Sequence, residues 1–178
     1  MQNLQNHDNC TCPTCSAISC LKWTHDVNIL LIEDAATCAK LFLSQVSAFV
    51  PEEKIRHASN MAEAWSYLSW ADVIVLDLQL PDSTLDDTIK MIGQWSPVWP
   101  IVVYSSYDRE GVIQRCIAAG ANSFVAKDGV TVIQLHNALH AAIELSSRSL
   151  LQTKILAIEA ASRELVLETT RGAKAANG

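Results

Sequence analysis

Glycine and proline are scarce in this chain, with six and five residues among 178. These counts exclude collagen-like repeats and low-complexity linkers as its main content. No apolar run approaches the roughly 20 residues that a membrane-spanning helix needs, so we expect no membrane span. The first ten residues, MQNLQNHDNC, lack the basic and apolar regions of a secretory signal, and we therefore expect a cytoplasmic protein.

Basic residues are fewer than acidic ones, with 13 Lys and Arg against 19 Asp and Glu and a formal net charge of −6. A chain without an excess of positive charge is not expected to have nucleic acid as a partner. Hydrophobic residues make up 49% of the chain, which excludes disorder along its whole length. The length fits one domain with tails.

The segment 27–145 alternates between short apolar runs and amphipathic stretches. The runs predict strands over 27–32, 54–58, 73–76, 101–105 and 123–126. Short β-branched and aliphatic runs without alternation are typical of strands buried on both faces of a parallel sheet. Helical patterns follow them over 35–49, 60–69, 84–95 and 108–119, and from about 131. The alternation predicts an α/β domain, a five-stranded parallel sheet with helices on both faces.

The segment 1–26 is polar and carries four of the six cysteines, and we predict a mobile tail there. Those cysteines are Cys10, Cys12, Cys15 and Cys20. The spacing of Cys12 and Cys15 suits a metal site or a redox pair, but no second pair of this spacing follows. A metal or redox role and a functionally silent tail both stay open. His57, His136 and His140 show no ligand pattern in the sequence.

The segment 131–171 contains neither glycine nor proline, so one helix could run from about 131 to about 169. We predict that 146–178 is a helical extension with a disordered end. It is either a fraying tail or a coil that forms a dimer or binds a partner. About 33 residues are too few for an output domain with its own core, so we expect no DNA-binding domain.

Chemically competent side chains stand where the predicted strands end, and ligands of doubly wound sheets bind beyond the carboxyl ends of strands. They are Glu33, Asp34, Asp77, Ser105 and Lys127. Three neighbouring carboxylates repel one another unless a cation joins them, and an oxygen-only ligand set suits Mg²⁺. Asp77 is the best candidate for a carboxylate nucleophile that takes a phosphoryl group, because the loop 78–82 after it should leave it exposed.

Four motifs together resemble the receiver domain of bacterial two-component response regulators. They are ED at 33–34, LDLQLPD at 76–82, PIVVYSS at 100–106 and GANSFVAKD at 120–128. The resemblance implies a flavodoxin-like sheet with strand order 2-1-3-4-5. It also implies that Asp77 takes a phosphoryl group from the phosphohistidine of a sensor histidine kinase or phosphotransfer protein. The output would be a phosphorylation-dependent contact with an output protein whose identity the sequence leaves open.

The resemblance also assigns a role to individual residues. It places Mg²⁺ on Asp34, Asp77 and the backbone carbonyl of Gln79, with Glu33 helping through water. It pairs Lys127 and Ser105 with the phosphoryl oxygens. It makes Ser105 and Phe124 the switch that responds to phosphorylation. Asp128 stands where the family usually has a proline in a cis bond, which puts the geometry at Lys127 in question.

Two other functions compete with this interpretation. A phosphatase of the haloacid dehalogenase type also uses an aspartate nucleophile and Mg²⁺, but it needs a second aspartate two residues later, where this chain has Gln79. A receiver-like scaffold that never meets phosphate would not need Asp34, Asp77, Ser105 and Lys127, all of which are present. We therefore predict a signalling phosphoacceptor and not an enzyme.

Overall fold

The computed structural model describes residues 25–147, which contain a five-stranded parallel sheet. The strands are β1 (Ile29–Ile32), β2 (Ile55–Ala58), β3 (Val73–Leu76), β4 (Ile101–Ser105) and β5 (Ser123–Ala126). Their order across the sheet is β2-β1-β3-β4-β5. The predicted α/β fold, the strand order and the parallel sheet are confirmed.

Five helices connect or follow the strands. They are α1 (Ala36–Val46), α2 (Met61–Ala64), α3 (Leu85–Trp95), α4 (Glu110–Ala118) and α5 (132–147), and a 3₁₀ turn covers Glu52–Lys54. Thr84 caps α3, since its Oγ1 accepts the Asp87 N–H at 3.2 Å. Gly120 follows the end of α4 with φ of +111°, where an added Cβ would meet the side chain of Ser96.

The sheet is buried on both faces. On one face, side chains of β1, β3 and β4 pack against α2, α3 and α4 in one hydrophobic cluster that includes Ile32, Leu76 and Ile92. On the other face, the Phe42 ring of α1 lies 5.4 Å from the Tyr104 ring of β4. Three strands, β1, β3 and β4, are buried at every residue. These are the strands that have a neighbouring strand on both sides.

The helix predicted over 60–69 is mostly wrong, because α-helical geometry ends at Ala64. Beyond it the backbone continues in tighter turns, with Ser66 N–H bonded to Glu63 O at 3.1 Å and Tyr67 N–H bonded to Ala64 O at 2.9 Å. Serine and aromatic residues have only moderate helix propensity. Tyr67 and Trp70 instead lie against Arg56, whose guanidinium carbon is 5.3 Å and 4.3 Å from their ring centroids.

The chain divides after Ala142 into two compact units, Met1–Ala142 and Ile143–Gly178. Of the second unit, the structure describes residues 143–147, which are helical. The predicted tail over 1–26, apart from its last two residues, and the predicted extension over 148–178 lie outside the described residues. The boundaries at 26 and 145 stay predictions. Among residues 25–147, no helix has the length and hydropathy needed to cross a bilayer.

Candidate functional site

Backbone hydrogen bonds beyond the strand ends place three charged residues at one edge of the sheet. Glu33 N–H donates to Ala58 O and Asp77 N–H donates to Ile32 O, both at 2.9 Å. Lys127 N–H donates to Ser105 O at 3.1 Å. Each bond extends strand pairing by one residue, so side chains that are distant in sequence meet at the carboxyl edge, as in other doubly wound sheets.

Lys127 bridges two buried carboxylates at this edge. Its Nζ lies 2.8 Å from Asp77 Oδ2 and 2.5 Å from Glu33 Oε2. Glu33 is fully buried and Asp77 is 3% exposed. The expectation that the 78–82 loop leaves Asp77 exposed is therefore wrong. The Leu78 N–H donates to Asp77 Oδ1 at 2.7 Å, and Lys127 Nζ donates to the other oxygen.

Burial and hydrogen bonding act in opposite directions on the pKa of both Glu33 and Lys127. Burial raises the pKa of the Glu33 carboxyl, the nearby Asp77 charge adds to the increase, and the hydrogen bond from Lys127 opposes it. For Lys127, burial alone would lower the pKa, but the hydrogen bonds to Asp77 and Glu33 outweigh it and leave the pKa raised. Lys127 is thus held as an ammonium, while Glu33 gives up its proton less readily than an exposed glutamate.

Three carboxylates meet beside this ammonium. One oxygen from each of Glu33, Asp34 and Asp77 lies within 4.8 Å of the other two. Asp34 is exposed, while Glu33 and Asp77 are buried. Asp34 and Gln79 also line a cavity of about 480 Å³ together with Tyr107, which opens the Asp34 side of the cluster to solvent. This all-oxygen donor set, close together and accessible from one side, fits Mg²⁺.

The other predicted site residues lie near this edge, and their roles stay predictions. Ser105 ends β4 fully buried, and its Oγ accepts the Tyr107 N–H at 3.3 Å. Phe124 on β5 is half-buried and packs against the hydrophobic cluster. The described residues contain no cis peptide bond, so the Lys127–Asp128 bond is trans. Cys10, Cys12, Cys15 and Cys20 lie outside the described residues.

Two residues that sequence analysis did not single out support the charged groups. Lys127 Nζ lies over the face of the Tyr104 ring, 5.6 Å from the ring centroid. The His57 ring nitrogen Nε2 lies 2.7 Å from the backbone oxygen of Glu33. The sequence gives only a weak signal for Tyr104, which is an aromatic residue within the apolar run 101–105. No local pattern indicates the contact of His57.

A comparison with protein families identifies the family of this domain. The model of the response regulator receiver domain matches residues 29–140. The chain belongs to the response regulator receiver domain family. The resemblance inferred from the four motifs is confirmed, and the strand order is that of the flavodoxin-like receiver fold.

Individual relatives agree with this assignment. The chemotaxis protein CheY of Thermotoga maritima is 27% identical over 101 residues, which are 56% of this chain and 83% of CheY. A protein-glutamate methylesterase/protein-glutamine glutaminase of Treponema denticola is 32% identical over 107 residues, 57% of this chain. The chain spans only 28% of that enzyme's length.

Solved receiver structures share the fold. The receiver domain from Rhodospirillum rubrum is 26% identical with a TM-score of 0.51, covering 68% of this chain and 94% of that one. The receiver domain protein from Clostridium thermocellum is 20% identical with a TM-score of 0.56, covering 68% of this chain and 97% of that one.

Proposed function

We propose that this receiver domain accepts a phosphoryl group on Asp77 from the phosphohistidine of a sensor histidine kinase or phosphotransfer protein. The observation that carries the proposal is the bridge from Lys127 to Asp77, at 2.8 Å, inside a cluster of three carboxylates. A carboxylate held beside a fixed cation is placed to attack phosphorus, and the cation compensates the charge of the transferring group.

The chemistry of the transfer uses the chain's own groups as follows. An oxygen of Asp77 forms a bond to phosphorus while the bond between phosphorus and the donor's imidazole nitrogen breaks. Lys127, already charged, pairs with an oxygen of the phosphoryl group once that group arrives. Glu33, Asp34, Asp77 and the Gln79 carbonyl would hold Mg²⁺. When bound, the ion supplies positive charge against the carboxylates and orients phosphoryl oxygens.

The change on Asp77 would reach the surface through β4 and β5. Ser105 Oγ would turn from the Tyr107 N–H toward the new phosphoryl oxygens, and Phe124 would repack beside it. Such a local contact can bias an element between two arrangements. The readout would be altered binding of an output protein to this face. In this proposal the chain is a phosphoacceptor and not a turnover enzyme, and it works in the cytoplasm.

The phosphatase alternative requires a general acid two residues after the nucleophile, and Gln79 cannot donate and retake a proton as a carboxyl group does. A scaffold would have no functional need for two buried carboxylates and a buried ammonium. Both differ from the proposal in what they do with a small phosphodonor.

Incubation of the full chain with acetyl phosphate and Mg²⁺ separates the three functions. We expect one phosphoryl group per chain, stable in acid and removed by hydroxylamine, in wild type and in Asp108→Asn but not in Asp77→Asn. Asp108 is a matched control because it is an exposed aspartate that follows β4. Rapid turnover of phosphate esters would support the phosphatase, and absence of both turnover and adduct would support the scaffold.

A further inference from the structure

Three of the five histidines of the chain gather on the α1 and α5 side of the sheet, away from Asp77. His136 and His140 lie on α5, one turn apart, and His25 precedes β1. The ring centroids of His25 and His140 are 4.8 Å apart, and those of His136 and His140 are 5.9 Å apart. No residue of the phosphoacceptor site belongs to this group.

The position of the histidine cluster is set by the topology. Residue 25 comes four residues before β1, at the amino edge of the sheet, whereas Glu33 follows β1 at the carboxyl edge. Helix α5 begins after β5 at the carboxyl edge and must run back toward the amino edge, as helices do in βα units. His136 and His140 are therefore carried toward His25 and away from the carboxylates.

We propose that His25, His136 and His140 form a binding site for a Zn²⁺ ion. Two histidines four residues apart on one helix face are an established zinc-binding arrangement, and a third imidazole completes the protein ligands of an open tetrahedral site. Neutral imidazole is a ligand that zinc accepts and Mg²⁺ does not favour. This proposal does not depend on phosphorylation of Asp77.

The ring separations agree with those that one shared ion would require. With Zn–N distances of about 2.05 Å and tetrahedral angles, ligating nitrogens lie about 3.3 Å apart and the ring centroids about 5 Å apart. The two observed centroid distances, 4.8 and 5.9 Å, bracket that value. One ring nitrogen of His25 lies within 4.8 Å of one ring nitrogen of His140. The His136 ring stacks on the His140 ring at an interplanar angle of 28°, so it must turn about its side-chain bonds for its nitrogen to reach the same ion.

The surroundings of the histidine cluster give an ion both shelter and an entry path. His136 is 8% exposed, and the Phe49 ring packs edge-on against it at 5.0 Å, which excludes water from one side. His25 and His140 are half-buried and reach the solvent. A site that is apolar on its inner side and open on the outer side can take up an ion and leave its fourth position to water.

The test is a titration of the metal-free full chain with Zn²⁺, monitored by calorimetry, in excess Mg²⁺. The chain carries Cys10, Cys12, Cys15 and Cys20 replaced by serine, so that thiolates do not compete. We expect one Zn²⁺ per chain, with affinity at least about 10-fold weaker in His140→Gln and in His25→Gln, because loss of a ligand costs no less than loss of its supporting groups. His57→Gln is the matched control and should bind as the parent does.

Two results would overturn the site. One is a serine-substituted chain that binds no Zn²⁺ at all. The other is a His140→Gln or His25→Gln chain that binds Zn²⁺ as tightly as the parent, which would place the ion elsewhere. Circular dichroism of each variant shows that it is folded. His25 and His140 are preferred to His136 for substitution because both are half-buried, so their replacement leaves the core of the domain intact.

Discussion

Lys127 Nζ and Asp77 Oδ2 lie 2.8 Å apart although 50 positions separate these residues in the chain, and each side chain is less than a tenth exposed. The same ammonium also contacts Glu33, so one cation serves two buried carboxylates. Removing one partner of a buried ionic group leaves the other charges uncompensated, which costs more than the pair itself contributes.

Substitution of Lys127 should therefore affect both chemistry and stability. We expect Lys127→Met to reduce the rate of acetyl phosphate labelling by about 100-fold, the cost of removing a fixed donor from a developing anion. Its free energy of unfolding at neutral pH should fall by about 3 kcal/mol. Labelling kinetics and urea unfolding provide the measurements. Lys40→Met, an exposed lysine of α1, is the control and should change neither.

Mg²⁺ binding should depend on pH through Glu33. The pKa of Glu33 is raised above 4.5, so without metal the proton competes for this carboxyl at a higher pH than for an exposed glutamate. Affinity for Mg²⁺ should fall as the pH is lowered toward that pKa. Mg²⁺ titrations at several pH values should show that affinity falls less steeply with pH in Glu33→Gln than in wild type. Glu53 is exposed and lies before β2, so Glu53→Gln should show the same pH dependence as wild type. An equal slope in Glu33→Gln would contradict the assignment.

Removing the hydroxyl of Tyr104 should stabilise the domain. The hydroxyl oxygen is buried and has no hydrogen-bond partner among the described residues, and burial raises the pKa of Tyr104 to about 12. A buried unpaired polar group costs about 1–3 kcal/mol, so Tyr104→Phe should raise the free energy of unfolding by about 1 kcal/mol. Tyr104→Leu, which loses the ring on Phe42, should lower it. Unfolding in urea distinguishes the two, and a less stable Tyr104→Phe would show that the hydroxyl is paired.

Asp82 should stabilise the start of α2 from outside the helix. Its Oδ1 accepts the Met61 N–H at 3.0 Å and its Oδ2 accepts the Ala62 N–H at 2.9 Å. Burial works against the charge, but these two backbone hydrogen bonds outweigh it and lower the pKa of Asp82 below 3.8. The contribution is therefore complete above pH 3.8 and is lost as the pH falls through the lower, folded-state pKa. Asp82→Ala should lower the free energy of unfolding by about 1 kcal/mol at pH 7, measured by thermal unfolding. Asp86→Ala, at an exposed position of α3, should lower it much less.

Local patterns in the sequence were sufficient for the sheet. Val73–Leu76, Ile101–Ser105 and Ser123–Ala126 begin and end where predicted, because each is an apolar run bounded by polar or turn residues. The convergence of Glu33, Asp77 and Lys127 also follows from sequence, since parallel strands bring their ends to one edge. The short α2 does not, because Tyr67 and Trp70 make a contact with Arg56 that no local pattern shows.

The parts of the site that sequence missed depend on contacts between distant elements. Asp77 is buried because Lys127 and the Leu78 N–H occupy its oxygens, which cannot be inferred from the loop that follows it. The histidine cluster joins two residues four positions apart on α5 to a residue ahead of β1, and no spacing pattern reveals that third member.

In the proposed function, one particular carboxylate, that of Asp77, carries the phosphoryl group. Reduction of the phosphorylated full chain with borohydride, followed by peptide sequencing by mass spectrometry, marks the aspartate that formed the acyl phosphate. We expect a mark on Asp77 alone, formed only when Mg²⁺ is present. A mark on Asp34, Asp82 or any other residue, or none on a chain that retains its fold, would contradict it.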